Sequence, residues 1–441
     1  MVSKNLHKVL FAGAVAIWQL PAIAACPQGT TDLSATYPGG LPGSDLVKRP
    51  ACGLAATFLA DTTLTADNTY LLQGAVYVGD EGNNAKLTIE AGTTIRGSNG
   101  RDFLAVRRGS QIFVLGTADK PVVMTGFEPG KTTRGQWGGL VLNGRSTLNQ
   151  CRVAGSAVCE NAPEGGVEAA YGGNLPADNS GVLRYLRIEY PGFEVSPDNE
   201  LNGLTLNSVG SGTTIEYIQV LGSNDDGIEM FGGTVNLKHI VVTGAQDDSI
   251  DWDFGWTGKA QFLLVKQATD DGNNGIEADN NVNNFAAAPR SNPVIANMTL
   301  IGGSPKAGNG ILLRRGTGVS IFNSIVTGFT TTCLNLDDAE TFTNAPVKFE
   351  GIVVKCAKDF DDKPTDPVLV SSIFGRSDLN LVAEPLLSGY ELNDAASPAF
   401  SVFSDVTQVD PFFEETFYAG AVETLSGSTN DWTQNWTVGL R

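Results

Sequence analysis

Acidic residues carry most of the chemistry in this chain. Asp225-Asp226, Asp247-Asp248 and Asp270-Asp271 close three successive segments, with 22 and 23 residues separating Asp226, Asp248 and Asp271. Glu229, Asp251 and Glu277 follow at one phase, and Asp253 and Asp279 lie two positions further on. If a repeating fold lays these segments over one another, carboxylates stack at the strand spacing of about 4.8 Å. Like charges so close either share protons or recruit a cation. The donors are all oxygen, with no His or Cys in the cluster, so the hard cation Ca²⁺ is the expected occupant. In the plainer reading, Asp-Asp-Gly and Gln-Asp-Asp-Ser are turn signals whose side chains cap backbone groups. Three pairs in phase favour a site.

Two cations and five rings lie nearby. Arg314 and Arg315 suit a sugar carboxylate or, for Arg314, the base of a β-elimination; the plainer role is ion pairing with Asp253, Asp279 or Asp337. Tyr190, Phe231, Trp252, Phe254 and Trp256 are interleaved with the acids. By phase Trp252 points inward, whereas Phe231 and Trp256 are expected to be exposed platforms for a sugar ring. His239, next to Lys238, reads as an ordinary surface residue.

The elements that must position these residues repeat. Segments open at Gly203, Gly227, Ser249, Gly275, Gly310 and Cys333, at intervals of 24, 22, 26, 35 and 23 residues, and each alternates with the period of a strand. A second β-branched or aromatic run follows each opening, and no helical pattern of comparable length interrupts them. One column of residue types at the same phase of every segment implies parallel stacking. The expected fold is therefore all-β, a single-stranded right-handed parallel β-helix. Its inward columns are Leu204, Ile228, Ile250, Ile276, Ile311 and Leu334, then Leu206, Met230, Trp252, Ala278, Leu313 and Leu336. The expected organisation is a leader at 1–24, an N-terminal cap at 25–54, the β-helix at 55–371 with a long loop near 146–180, and a C-terminal cap or tail at 372–441 covering the last coil.

Composition limits the partners. With 29 Lys+Arg against 48 Asp+Glu, the formal charge of −19 disfavours nucleic acid and anionic membranes. Only two His, His7 and His239, leave little room for His-rich zinc sites or imidazole triads. Lys4, His7 and Lys8, the apolar run Val9 to Leu20 and Ala22-Ile23-Ala24 read as an export signal, and no segment is long enough for a transmembrane helix. The compartment expected is extracellular, cell-surface, outer-membrane-associated or periplasmic. The six Cys then suggest disulfides Cys26 to Cys52, Cys151 to Cys159 and Cys333 to Cys356. Alternatively Ile23-Ala24-Ala25-Cys26 is a loose lipobox, with a lipid anchor at Cys26.

Gly135 to Leu140, Asp198 to Gly203, Asn224 to Glu229 and Asp270 to Asn280 resemble a group of exported bacterial β-helix proteins, often labelled lipoproteins. That resemblance supports fold and compartment and carries no established activity. A narrower one is to the polygalacturonase group of the pectin-lyase-like β-helices. Asn224-Asp225-Asp226-Gly227 followed by Asp247-Asp248 is similar to their Asn-x-Asp-Gly and Asp-Asp motifs in order and spacing. The resemblance implies that Asp226, Asp247 and Asp248 are the acid and water-activating carboxylates of an inverting hydrolysis. The chain departs from the group where Gly-His-Gly is expected and Asp270-Asp271-Gly272 stands, and Arg-x-Lys has no match beyond Arg314-Arg315. The function expected is an exported, Ca²⁺-stabilised β-helix that binds extracellular or cell-surface polysaccharide. Its ligand-binding residues are Phe231, Trp256 and Arg315, and its metal ligands Asp225, Glu229, Asp251, Asp253, Asp270, Asp271, Glu277 and Asp279. The alternatives are a hydrolase or lyase of polyuronates using Asp226, Asp247, Asp248 and Arg314, and a structural surface or adhesion protein.

Overall fold

A computed structural model describes residues 25–42, 49–80, 82–196, 199–306, 308–343, 346–427 and 431–440. The leader expected at 1–24 lies outside the described residues.

The chain winds into a right-handed parallel β-helix. One wall is a 10-stranded sheet running from Thr57–Phe58 to Leu334–Leu336, and the other belongs to a 16-stranded sheet. The register is the one that the alternating openings demand: Leu204, Ile228, Ile250, Ile276, Ile311 and Leu334 are successive Cα partners. All six are at most 1% exposed. Burying such a side chain stabilises by about 1.5–3 kcal/mol, so the stacked columns hold the coils together.

In the larger sheet each long strand bends around one residue in the left-handed region. Tyr185, Tyr217, His239, Phe262, Asn297, Asn323 and Gly351 have φ between 47° and 75°. At these positions ladder pairing skips a residue, as between Arg184↔Glu216 and Leu186↔Ile218. The bend divides the wall in two and gives each coil a third side. It also stacks the side chains: Tyr185 on Tyr217, Tyr217 on His239 and His239 on Phe262, with centroids 4.3, 4.3 and 4.8 Å apart. His239 is thus buried within a ring stack rather than lying at the surface, and desolvation pushes its pKa down to about 4.

The ends and the long loop complete the positioning. Thr30–Asp32 pairs antiparallel with Ala51–Leu54, which is itself parallel to Thr69–Leu72, so the stacked wall already includes part of the segment expected as a cap. All three expected disulfides form. Because Cys26 Sγ is bonded to Cys52, it is not available for the thioether of a lipid anchor, which corrects that alternative. The loop between Gly139–Asn143 and Gly181–Glu189 folds over the outer face of the 10-stranded sheet. There Val167 packs among Tyr77, Phe103, Val141 and Leu201.

Val370, Ile373 and Phe374, on a short helix, join the interior core at the C-terminal end. The tail does not stop there. It doubles back along the outside of the larger sheet, laying Val402 on Ile325 and Val353, Phe413 on Ala296 and Phe322, and Trp436 on Val241 and Leu264. Gln219 fixes its end by donating to Val438 O at 2.7 Å and accepting from Val438 N at 3.0 Å.

Candidate functional site

The outward positions of the 10-stranded sheet place the acids. Val141, Thr205, Glu229, Asp251, Glu277 and Leu312 are successive partners, so three stacked carboxylates are bounded by Thr205 and Leu312. A second column lies in the turn that precedes each strand. Asp226 Oδ1 accepts from Asp248 N at 2.9 Å, Asp248 Oδ1 from Asn274 N at 2.6 Å, and Asn274 Oδ1 from Asn309 N at 2.9 Å. Each side chain thus holds the backbone of the next coil. Pairing of Ile250 with Ile276 sets Asn274, not Asp271, in line with Asp248. Asp270 and Asp271 therefore fall outside both columns. Asp270 takes a bidentate ion pair from Arg134, and Asp271 pairs with Lys306.

The two columns interleave. Asp225, Asp226 and Asp247 offer oxygens within 4.8 Å of one another, as do Asp226, Glu229 and Asp251, and again Asp248, Asp251 and Glu277. Asp226 belongs to the first two groups and Asp251 to the last two, which makes one continuous array. Asn202, found only through the structure, donates from Nδ2 to Glu229, while its Oδ1 is buried without a hydrogen-bond partner. An orphan acceptor beside carboxylates supplies one more oxygen for a hard cation.

Electrostatics follow from burial and mutual repulsion. Asp225 is raised to about 8, by burial first and then by Asp247, Glu200 and Glu164. Burial also lifts Asp226, Glu229, Asp248 and Asp251 well above the carboxylate range, and the charge opposing ionisation next is Asp251, Glu164, Glu277 and Glu229 respectively. Asp253 is raised by burial and Asp279. Glu277 is raised by burial, against the opposing pull of Arg314. The cations sit at one end: Arg314 pairs with Glu277 and, at 2.8 Å, with Asp279, while Arg315 reaches Asp279 at 2.6 Å. Two guanidiniums at that end leave the Asp226–Glu229–Asp251 group uncompensated, so it must hold protons or bind metal.

A family model described as a pectate-lyase-like β-helix domain matches residues 56–437. The chain belongs to that family. Comparison with curated proteins and with solved structures finds no significant match. Membership relates the protein to polysaccharides, and the acids of this pectate-lyase-like β-helix lie on the outward face and turns of its coils. Among the described residues no helix is long and apolar enough to cross a membrane. Three disulfides are compatible with an oxidising compartment.

The remaining expected residues divide sharply. Asp225 and Asp247 line an open cavity of about 470 Å³ with Glu194, Glu200, Asp271 and Lys306. Asp226 and Asp248 are 7% and 3% exposed, and their Oδ1 atoms accept from turn amides, while Asp226 still offers an oxygen within 4.8 Å of Asp247. Arg314, despite the opposing effect of burial, is held above its usual pKa by Asp279 and Glu277, which favour its charged form. Of its expected partners Asp279 is the one engaged; Asp337 pairs with Lys363.

Both expected sugar platforms are corrected. Phe231 is 4% exposed because Leu148 and Tyr171 of the long loop cover it with Phe254. Trp256 is wholly buried, since the turn at Phe254 and Gly255, φ 55° and 93°, swings it inward against Trp252. Its Nε1 donates to Val235 O at 3.1 Å. The signal that sequence reasoning passed over was Asn202, whose place two residues before Leu204 matches that of Asp226 before Ile228.

Proposed function

We propose that the protein is an exported β-helix stabilised by Ca²⁺, and that it binds extracellular polysaccharide at the acidic cavity beside its carboxylate array. The observation that carries this reading is the array itself: three overlapping oxygen triads sharing Asp226 and Asp251, with the orphan Oδ1 of Asn202 alongside. Asp225, Asp226, Glu229, Asp247, Asp248, Asp251 and Glu277 are the ligands. Ca²⁺ tolerates such irregular oxygen sets, and ionisation of the ligands releases protons as metal enters. Asp225 and Asp247 reach the cavity, so a cation there can present open positions to sugar hydroxyls or carboxylates. With Phe231 and Trp256 buried, stacking at those residues plays no part.

A hydrolase is the second reading, favoured by Asp225. A carboxyl near pKa 8 next to the exposed Asp247, both on an open cavity, suits a proton donor. Titration calorimetry of chelator-stripped protein with Ca²⁺, then gel retardation by a polysaccharide panel with and without EDTA, tests the first reading. It expects Ca²⁺ binding and retardation that EDTA abolishes; absence of both overturns it. Reducing ends released from polyuronates, and lost in Asp225→Asn, identify the hydrolase instead.

A further inference from the structure

Three guanidiniums, those of Arg107, Arg108 and Arg152, line an open cavity of about 650 Å³ together with Asp80 and Glu168. We infer that this cavity is a metal-independent subsite for an anionic group carried by a glycan, a carboxylate or a sulfate ester, gripped by Arg152 and Arg107. The inference rests on the polysaccharide reading and adds a second point of contact to it. Ala105, two residues before Arg107, lies three rungs from Glu229 along the ladder Ala105, Val141, Thr205, Glu229, which is about 14 Å.

The wall is fixed in place from two distant segments. Arg107 sets its guanidinium 4.1 Å from the centroid of the Tyr77 ring and donates to Glu168 O at 3.0 Å, while Glu168 N donates to the Tyr77 hydroxyl at 3.0 Å. Arg152 belongs to the span closed by the Cys151–Cys159 disulfide, and its backbone N donates to Glu160 O at 2.8 Å. The charge on the wall is mixed, and its pairing decides the ligand. Arg108 is neutralised by Glu160 and donates to Gly172 O at 3.1 Å. Asp80 serves its own turn, Oδ1 accepting from Gly82 N at 2.8 Å and from Asn83 N at 2.7 Å. Glu168 gives Arg107 its main-chain carbonyl and not its carboxylate. Arg107 and Arg152 therefore have no carboxylate partner among the described residues, and the exposed Arg152 side chain makes no hydrogen bond there either. A guanidinium is a rigid fork of donors without an acceptor, and the paired oxygens of a carboxylate or sulfate match it better than a single neutral hydroxyl does.

The test uses the full chain in EDTA, which silences metal-bridged binding. Gel retardation is measured with polygalacturonate for the carboxylate, dextran sulfate for the sulfate ester, and uncharged dextran as the blank. At least one of the two anions is expected to retard the protein, and dextran is not. Arg152→Ala, at an exposed side chain whose loss leaves the fold intact, should weaken retardation by about tenfold or more. Arg376→Ala, at an exposed Arg beside the C-terminal helix Val370–Phe374, should stay within about threefold and controls for attraction spread over the surface. Glu168→Gln, which removes a carboxylate from the wall, should strengthen retardation. Retardation by neither anion in EDTA overturns the inference, as does a loss in Arg152→Ala no greater than in Arg376→Ala. Retardation confined to Ca²⁺ removes this subsite and leaves the metal-dependent reading standing, whereas retardation in EDTA that Ca²⁺ does not increase removes the metal-dependent reading alone.

Discussion

In EDTA the protein should lose stability as pH rises from about 4 to 8, and Ca²⁺ should cancel the loss. Asp225 titrates near 8 when folded, against an ordinary value of 3.8 when unfolded. Between those values the folded state holds the extra proton, so stability is fully present below the unfolded value and falls as pH climbs through the folded one. One retained proton is worth about 1.4 kcal/mol per pH unit, hence about 4 kcal/mol between pH 5 and 8. In a chain of this size that is a Tm drop of about 5 °C. The array is a single coupled system, so this figure serves as the contribution of one proton rather than a value to multiply by the number of acids.

The decisive variant is Asp226→Asn. Its Oδ1 still accepts from Asp248 N, while the charge that faces Glu229 and Asp251 disappears. Two charges within 4.8 Å of each other repel by about 3 kcal/mol or more in a partly screened site. At pH 8 in EDTA the variant should therefore be more stable than the parent. In millimolar Ca²⁺ the order should reverse, because the variant lacks a ligand. Calorimetric Tm at pH 5 and 8, with and without Ca²⁺, reads all of this. A Tm flat from pH 5 to 8 in EDTA, or a Ca²⁺ gain larger at pH 5 than at pH 8, refutes the reasoning.

Trp256→Ala should cost about 3–5 kcal/mol in urea unfolding through the cavity it leaves, without a specific effect on polysaccharide retardation measured under folded conditions. Replacing Cys333 and Cys356 together by Ser should cost about 3 kcal/mol, since their bridge closes a span of 23 residues; chemical denaturation measures it. Trp436→Ala should free the tail from Val241 and Leu264, so that limited proteolysis trims the C-terminus while the coils persist. Arg314→Met should leave Glu277 and Asp279 facing each other with Arg315 as the remaining cation, and should lower Tm more at pH 8 than at pH 5.

The coil register was legible because each opening repeats one alternation, and a slip of a single residue would turn every aliphatic side chain outward. The phase of Glu229, Asp251 and Glu277 came with it. Asp271 was misplaced because the longer interval between Ile250 and Ile276 takes up its extra residues in the turn. Counting back from Ile276, as for Asp248 from Ile250, arrives at Asn274. The burial of Phe231 was not legible, since its cover comes from Leu148 and Tyr171, far away along the chain. Trp256 was lost to a left-handed turn that ends strand alternation three residues earlier. The path of the tail depends on a groove that exists only once the coils are stacked.

That tail changes how the whole molecule comes apart. Successive coils touch only their neighbours, and such arrays ordinarily fray inward from either end. Here one strip of chain is bonded to Gln219, Lys238, Gln261, Asn297 and Asn323, residues of five different circuits. Peeling one circuit means first breaking a splint shared with the others, so the stack should resist unravelling link by link and yield in a single concerted event.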